Sequence, residues 1–105
     1  MSGYVYLLHF NKPISDNHTC QHYTGWAEDL DRRLACHRSG NGARLTEVAS
    51  DLGIDFELVR AWKGSRTDER RLKNAKCAPR FCPYCGGSRE ASWMEEISIE
   101  QETIQ

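Results

Sequence analysis

The chain has 105 residues, 39% apolar and 28% charged, with ten aromatic side chains and a formal net charge of −1. That length suits one domain with one modest core, and no run approaches the roughly 20 apolar residues of a membrane span. "MSGYVYLLHF" lacks the basic start and cleavage site of a secretory leader, and five cysteines are an odd number for a closed disulfide framework, so a reduced, cytoplasmic protein is expected.

"GYVYLLHF" is aromatic, aliphatic and β-branched, and reads as a buried strand. The polar "NKPISDNHT" connects it to "CQHYTGW", a second strand paired antiparallel to the first. From Ala27 the spacing becomes helical: Ala27, Leu30 and Leu34 form one stripe, acidic residues fill the first turns, and Gly40 and Gly42 stop it. "ARLTEVASDLG" predicts a second helix ended by Gly53, and "DFELVRAW" a third strand. Ser65 opens a Ser-x-x-Asp capping signature for a third helix through "DERRLKNAK". Pro79 and Pro83 end regular structure ahead of an acidic tail. The expected fold is α/β (α+β): a small three-stranded, mostly antiparallel sheet flanked by helices, in the order β-β-α-α-β-α. Residues 1–80 form the main domain, and residues 81–105 a cysteine-containing segment and tail.

The near-neutral total hides a partition. Residues 60–80 carry eight basic side chains (Arg60, Lys63, Arg66, Arg70, Arg71, Lys73, Lys76 and Arg80) against two acidic ones, a balance of +6. Residues 81–105 carry Arg89 against five glutamates. A concentrated basic segment is the electrostatic footprint that nucleic-acid phosphates select, although a solvated helix face has the same composition. Arg66, Arg70 and Lys73 recur at helical spacing and could form a ridge along one side of the third helix.

Several side chains suit chemistry better than a core. Tyr6 ends "YVY" on the first strand and Tyr23 begins "YTG" on the second, so antiparallel pairing can bring the phenols together. Arg33 and His37 are four apart on one helix face, away from the Leu30/Leu34 stripe. Gly25 leaves room for a backbone or phosphate to approach. Taken singly, each has an ordinary reading as a strand tyrosine, a surface arginine or a helix histidine.

Together, in this order, they resemble the GIY-YIG nuclease superfamily, in particular its compact single-domain bacterial branch. "YVY" stands where the family has GIY, "YTG" where it has YIG, and "DLDRRLACH" where it carries its arginine. The resemblance spans about residues 3 to 76 and implies a metal-dependent endonuclease acting on nucleic acid, DNA foremost. It assigns Arg33 to the phosphate, Tyr6 to the attacking water, Tyr23 to water or phosphate, His37 to proton transfer or phosphate binding, and Glu69 to a divalent cation, Mg²⁺ or Mn²⁺. Arg44, in the segment "GNGARL", joins Gly25, Arg66, Arg70 and Lys73 as a candidate substrate contact. Tyr4 stands where the first motif usually has glycine, and the connection between the tyrosines is longer than the family hairpin. A base role for Tyr6 needs nearby positive charge, which Arg33 can supply, to lower a phenol pKa of about 10.

The cysteines allow other chemistry. "CPYC", Cys82 to Cys85, has the spacing of a redox pair but lacks the βαβ setting of one. With Cys77 it offers three thiolates to a structural Zn²⁺, the fourth ligand coming from Cys20, Cys36, His18 or His22 through tertiary contact. The alternative to an enzyme is a nucleic-acid-binding module of the same fold that does not cleave. A protein partner is compatible with so short a chain.

Overall fold

Gly3–Phe10 forms β1, the strand on which the rest is assembled. The computed structural model describes residues 3–12, 22–39, 44–74, 78–87 and 89–98. Strand β1 pairs antiparallel with β2 (His22–Ala27) on one edge and with β3 (Phe56–Gly64) on the other. A fourth strand, β4 (Glu95–Glu96), joins the free edge of β3, giving the order β2-β1-β3-β4. The helices are α1 (Leu30–Arg38), α2 (Arg44–Asp51), α3 (Arg66–Asn74) and a single turn, α4 (Ala78–Phe81). An antiparallel α+β architecture is therefore present, but among the described residues the sheet has four strands where three were expected. None of these helices is long and apolar enough to cross a membrane.

The side-chain period of a strand is two, so β1 feeds two apolar layers at once. Tyr6, Leu8 and Phe10 enter one with Ala27, Ala49, Phe56 and Ala61, flanked by Leu30 and Leu34 of α1. Val5 and Leu7 enter the other with Val59, Trp62, Leu72 of α3, Phe81 and Cys82. A register shift between Leu7 and Leu8, opposite Val59, marks a bulge in the β1–β3 ladder.

Two boundaries depart from the sequence reading. Ala27 closes β2 opposite Tyr4 instead of opening the first helix. Helix α1 starts at Leu30 because the Asp29 carboxylate accepts the Arg32 backbone N–H as an N-cap. Pro79 stands inside the short turn α4, near its start, where a missing N–H costs no helical hydrogen bond.

The segment expected as a tail packs onto the sheet through Arg60. This buried guanidinium donates through Nε and Nη2 to both Glu96 carboxylate oxygens, at 3.0 and 2.6 Å, and through Nη2 to Glu90 at 3.0 Å. Its Nη1 donates to the Arg89 carbonyl at 2.5 Å, and its plane stacks on Trp62. Of the eight basic residues in the +6 segment, Arg60 is thus spent on structure. The acidic residues Glu90 and Glu96 neutralise it and not the α3 ridge.

Replacing Arg60 should free β4 and the preceding loop. Both carboxylates are partly exposed and can rehydrate, so Arg60→Met is expected to cost about 2–3 kcal/mol, below the upper range for a broken buried pair. Urea titration gives the loss, and hydrogen exchange at Ile97 N–H, bonded to the Ala61 carbonyl, reports release of the segment.

Candidate functional site

The register of the β1–β2 hairpin places Tyr6 directly opposite Gly25 and Leu8 opposite Tyr23, so all four lie on one face. Gly25 has no side chain, and the Tyr6 ring uses that vacancy. A Cβ at Gly25 would overlap the Tyr6 hydroxyl and stand 2.5 Å from Tyr6 Cζ and 2.8 Å from the Tyr23 ring. The room foreseen over Gly25 for a phosphate is thus filled by the two tyrosines. Their ring centroids are 6.1 Å apart.

Helix α1 lays His37 across this pair. His37 is fully buried, with its ring 5.7 Å from Tyr6 and 5.4 Å from Tyr23, and the Tyr6 hydroxyl and His37 Nε2 are hydrogen-bonded over 2.6 Å. The expected shared exposed face of Arg33 and His37 is therefore divided: Arg33 is exposed while His37 points inward. Burial, then the Arg33 charge, lowers the His37 pKa to about 4. At neutral pH the ring is uncharged, and with Nε2 unprotonated it accepts from the phenol.

The Tyr6 phenol is fully enclosed, and its pKa is pushed well above the usual tyrosine value. Burial is the main cause, with Tyr23 and the Glu69 charge acting in the same direction. Arg33 acts the other way, as expected of it, but is outweighed. Arg33 and Glu69 thus both lie within electrostatic reach of the Tyr6 oxygen, one from α1 and one from α3. The Glu69 side chain is mostly covered and binds Lys73 Nζ at 3.2 Å, and Lys73 lies 5.8 Å from the centroid of the Tyr23 ring. Tyr6, Tyr23, Arg33, His37 and Glu69 are accordingly brought into one neighbourhood by four separate elements.

Among the proposed substrate contacts, Arg66, Arg70 and Lys73 are all exposed on α3, with Arg66 stacked on Trp26 at 4.6 Å. Arg44 opens α2, and its side chain lies outside the described residues.

A second cluster lies on the opposite face of the hairpin. His9 and His22 are register partners, their Nδ1 and Nε2 atoms 3.3 Å apart. Cys82 Sγ is 3.4 Å from His9 Nδ1, and Cys85 Sγ is 3.9 Å from His9 Nδ1 and 3.6 Å from His22 Nε2. All four donor atoms lie within 4.8 Å of one another and could hold a metal ion. Burial and the neighbouring His9 lower the His22 pKa, which favours the neutral, ligating form. Cys82 and Cys85 were foreseen as ligands and His22 as one option for another. His9 was missed, because only the observed strand register pairs it with His22. Cys77, Cys20 and His18 lie outside the described residues, and Cys36 is on α1, away from this group.

Comparison with family models, with curated proteins and with solved structures returns no match for this chain.

The buried His37 sets a pH dependence of stability. Its folded pKa of about 4 lies below the unfolded value near 6.5, so between these the unfolded chain binds the extra proton. Stability should therefore rise with pH across this window and be lost on acidification, by on the order of 3 kcal/mol in full. His37→Gln retains an acceptor but cannot titrate. The difference between wild-type and His37→Gln urea midpoints should shrink or reverse between about pH 6.5 and 4. A difference that does not change with pH would refute a buried neutral His37.

Proposed function

We propose that this protein is a metal-dependent phosphodiesterase of GIY-YIG type that cleaves nucleic acid, DNA foremost, at the Tyr6–Tyr23–His37 site. The observation that carries this reading is the short hydrogen bond from an enclosed phenol to a neutral imidazole, with a guanidinium and a carboxylate both acting on the phenol oxygen. A core has no use for that combination. Phosphodiester hydrolysis needs each part: a proton acceptor for water, a cation on the phosphate and a carboxylate for a metal.

The enclosure of Tyr6 favours a relay over direct attack by a phenolate. Tyr23 is the half-buried phenol, and its ring lies 6.1 Å from that of Tyr6. A proton lost by water can pass to the Tyr23 oxygen as Tyr23 passes its own to Tyr6, and Tyr6 its own to His37 Nε2. No free phenolate need form, so the raised Tyr6 pKa is no obstacle. Arg33 is one of the two causes of the low His37 pKa. A phosphate paired with the forked Arg33 donors would screen that charge and make His37 a stronger base. Substrate binding would thus switch on the acceptor.

Glu69 suits a hard divalent cation, because Mg²⁺ is commonly held by one or two carboxylates while water and substrate phosphate complete its sphere. When bound, such a cation supplies charge stabilisation to the departing oxygen. Lys73, ion-paired with Glu69 in the free protein, is then released toward the phosphate backbone beside Arg70 and Arg66. These exposed cations contribute affinity that is independent of sequence and sensitive to salt.

Single-turnover cleavage of labelled duplex, single-stranded and branched DNA, with Mg²⁺ and with EDTA, tests the proposal. Activity should require the metal. Glu69→Gln should lose roughly 10²-fold or more, and Tyr6→Phe and Tyr23→Phe each more than tenfold, about 1.4 kcal/mol in the barrier. Because His37 must be neutral to accept a proton, kcat/KM should fall on the acid side near pH 4 and not near 6.5. Salt-dependent binding with no cleavage of any substrate would assign the protein to the non-catalytic binding modules instead.

A further inference from the structure

We propose that His9, His22, Cys82 and Cys85 bind one Zn²⁺ in a closed, four-coordinate structural site that ties the Cys-Pro-Tyr-Cys turn to the connection end of the β1–β2 pair. A tetrahedral centre with Zn–N near 2.05 Å and Zn–S near 2.3 Å has edges of about 3.3 Å between nitrogens and about 3.6 Å between nitrogen and sulfur. The nitrogen–nitrogen separation here is 3.3 Å, three of the four nitrogen–sulfur separations are 3.4, 3.6 and 3.9 Å, and all four donor atoms lie within 4.8 Å of one another. An ordinary hydrogen-bonded histidine pair explains the first of these distances. It gives no reason for two thiols to gather at the same pair.

The local backbone is built for this convergence. Cys82 is extended, Pro83 starts a 3₁₀ turn, and Gly86 adopts a left-handed φ of 77° that an L side chain would resist. The N–H groups of Cys85 and Gly87 both donate to the Cys82 carbonyl, folding the turn so that both sulfurs meet the histidines. On the other side, direct register pairing of His9 and His22 holds both rings on one face. Two thiolates and two imidazoles select zinc over hard cations such as Mg²⁺, and four protein ligands leave no position for a substrate or catalytic water. The site is thus distinct from a cation at Glu69. It also closes the base of the long connection between β1 and β2, because His9 precedes that connection and His22 follows it.

The site is on the opposite sheet face from Tyr6 and His37, so its test needs no cleavage assay and stands apart from the nuclease reading. The full chain, purified without chelator or polyhistidine tag, should contain one zinc by elemental analysis. Replacement by Co²⁺ should give tetrahedral d–d bands and sulfur-to-cobalt charge transfer. His9→Gln, His22→Gln, Cys82→Ser and Cys85→Ser should each lose zinc, whereas Cys36→Ser and Cys77→Ser should keep it. If a ligand variant fails to fold, the wild-type chain still decides the matter. Zinc should protect Cys82 and Cys85 from alkylation, with chelation exposing both and lowering the thermal midpoint until Zn²⁺ is restored. A wild-type chain that holds neither zinc nor cobalt overturns the proposal, as does a Cys82–Cys85 disulfide in the native protein. Zinc retained after replacement of both histidines, or lost with Cys77, overturns this ligand set.

Discussion

Strand β1 is hydrogen-bonded along both edges and buried on both faces, and the rest of the molecule depends on that double constraint. Here a slip of one residue would exchange Tyr6, Leu8 and Phe10 with Val5, Leu7 and His9, and mismatch both layers together. The same alternation delivers Tyr6 to one face and His9 to the other. One strand therefore contributes to two chemically different clusters, separated by the thickness of the sheet.

The tyrosine face is organised around keeping protons where they are in the free protein. Burial opposes charge on both Tyr6 and His37, and their hydrogen bond joins a neutral donor to a neutral acceptor. Formal charges are kept at the margin, with Arg33 exposed and Glu69 countered by Lys73. A low-dielectric pair with ionic groups beside it responds strongly to a new charge, because field effects are larger where water is excluded. A phosphate at Arg33, as the proposed function requires, would be a perturbation of that kind.

Arg60 shows why charge counted along a sequence is an incomplete guide. It belongs to the most basic segment of the chain, yet its guanidinium is enclosed by two carboxylates, two backbone carbonyls and the Trp62 ring. A planar fork with five donors can satisfy such a pocket where an ammonium could not. This arginine draws residues 89–98 onto β3 and creates the fourth strand, leaving the exposed cations of α3 unneutralised by Glu90 and Glu96.

The sequence alone determined the principal elements, because their signals are local. A continuous apolar run marks β1 and an alternating one β3, the Ser65–Asp68 cap marks the start of α3, and Gly53 marks the end of α2. It also singled out Tyr6, Tyr23, Arg33, His37 and Glu69 as a set, since their order along the chain carries the family resemblance. Only the tertiary structure decided how these groups face one another. Arg33 and His37 share a helical spacing, but which of them turns inward depends on the vacancy at Gly25 and the reach of Tyr6. Nor can β4 be read from Glu95 and Glu96, whose strand exists because a distant arginine receives Glu96. Likewise His9 has no local mark of a ligand. It becomes one candidate among four only when strand register sets it opposite His22 and the chain returns, 73 residues later, with Cys82. Local propensity acts over a few residues, whereas burial, register and ligand geometry are fixed by contacts between segments far apart in the chain.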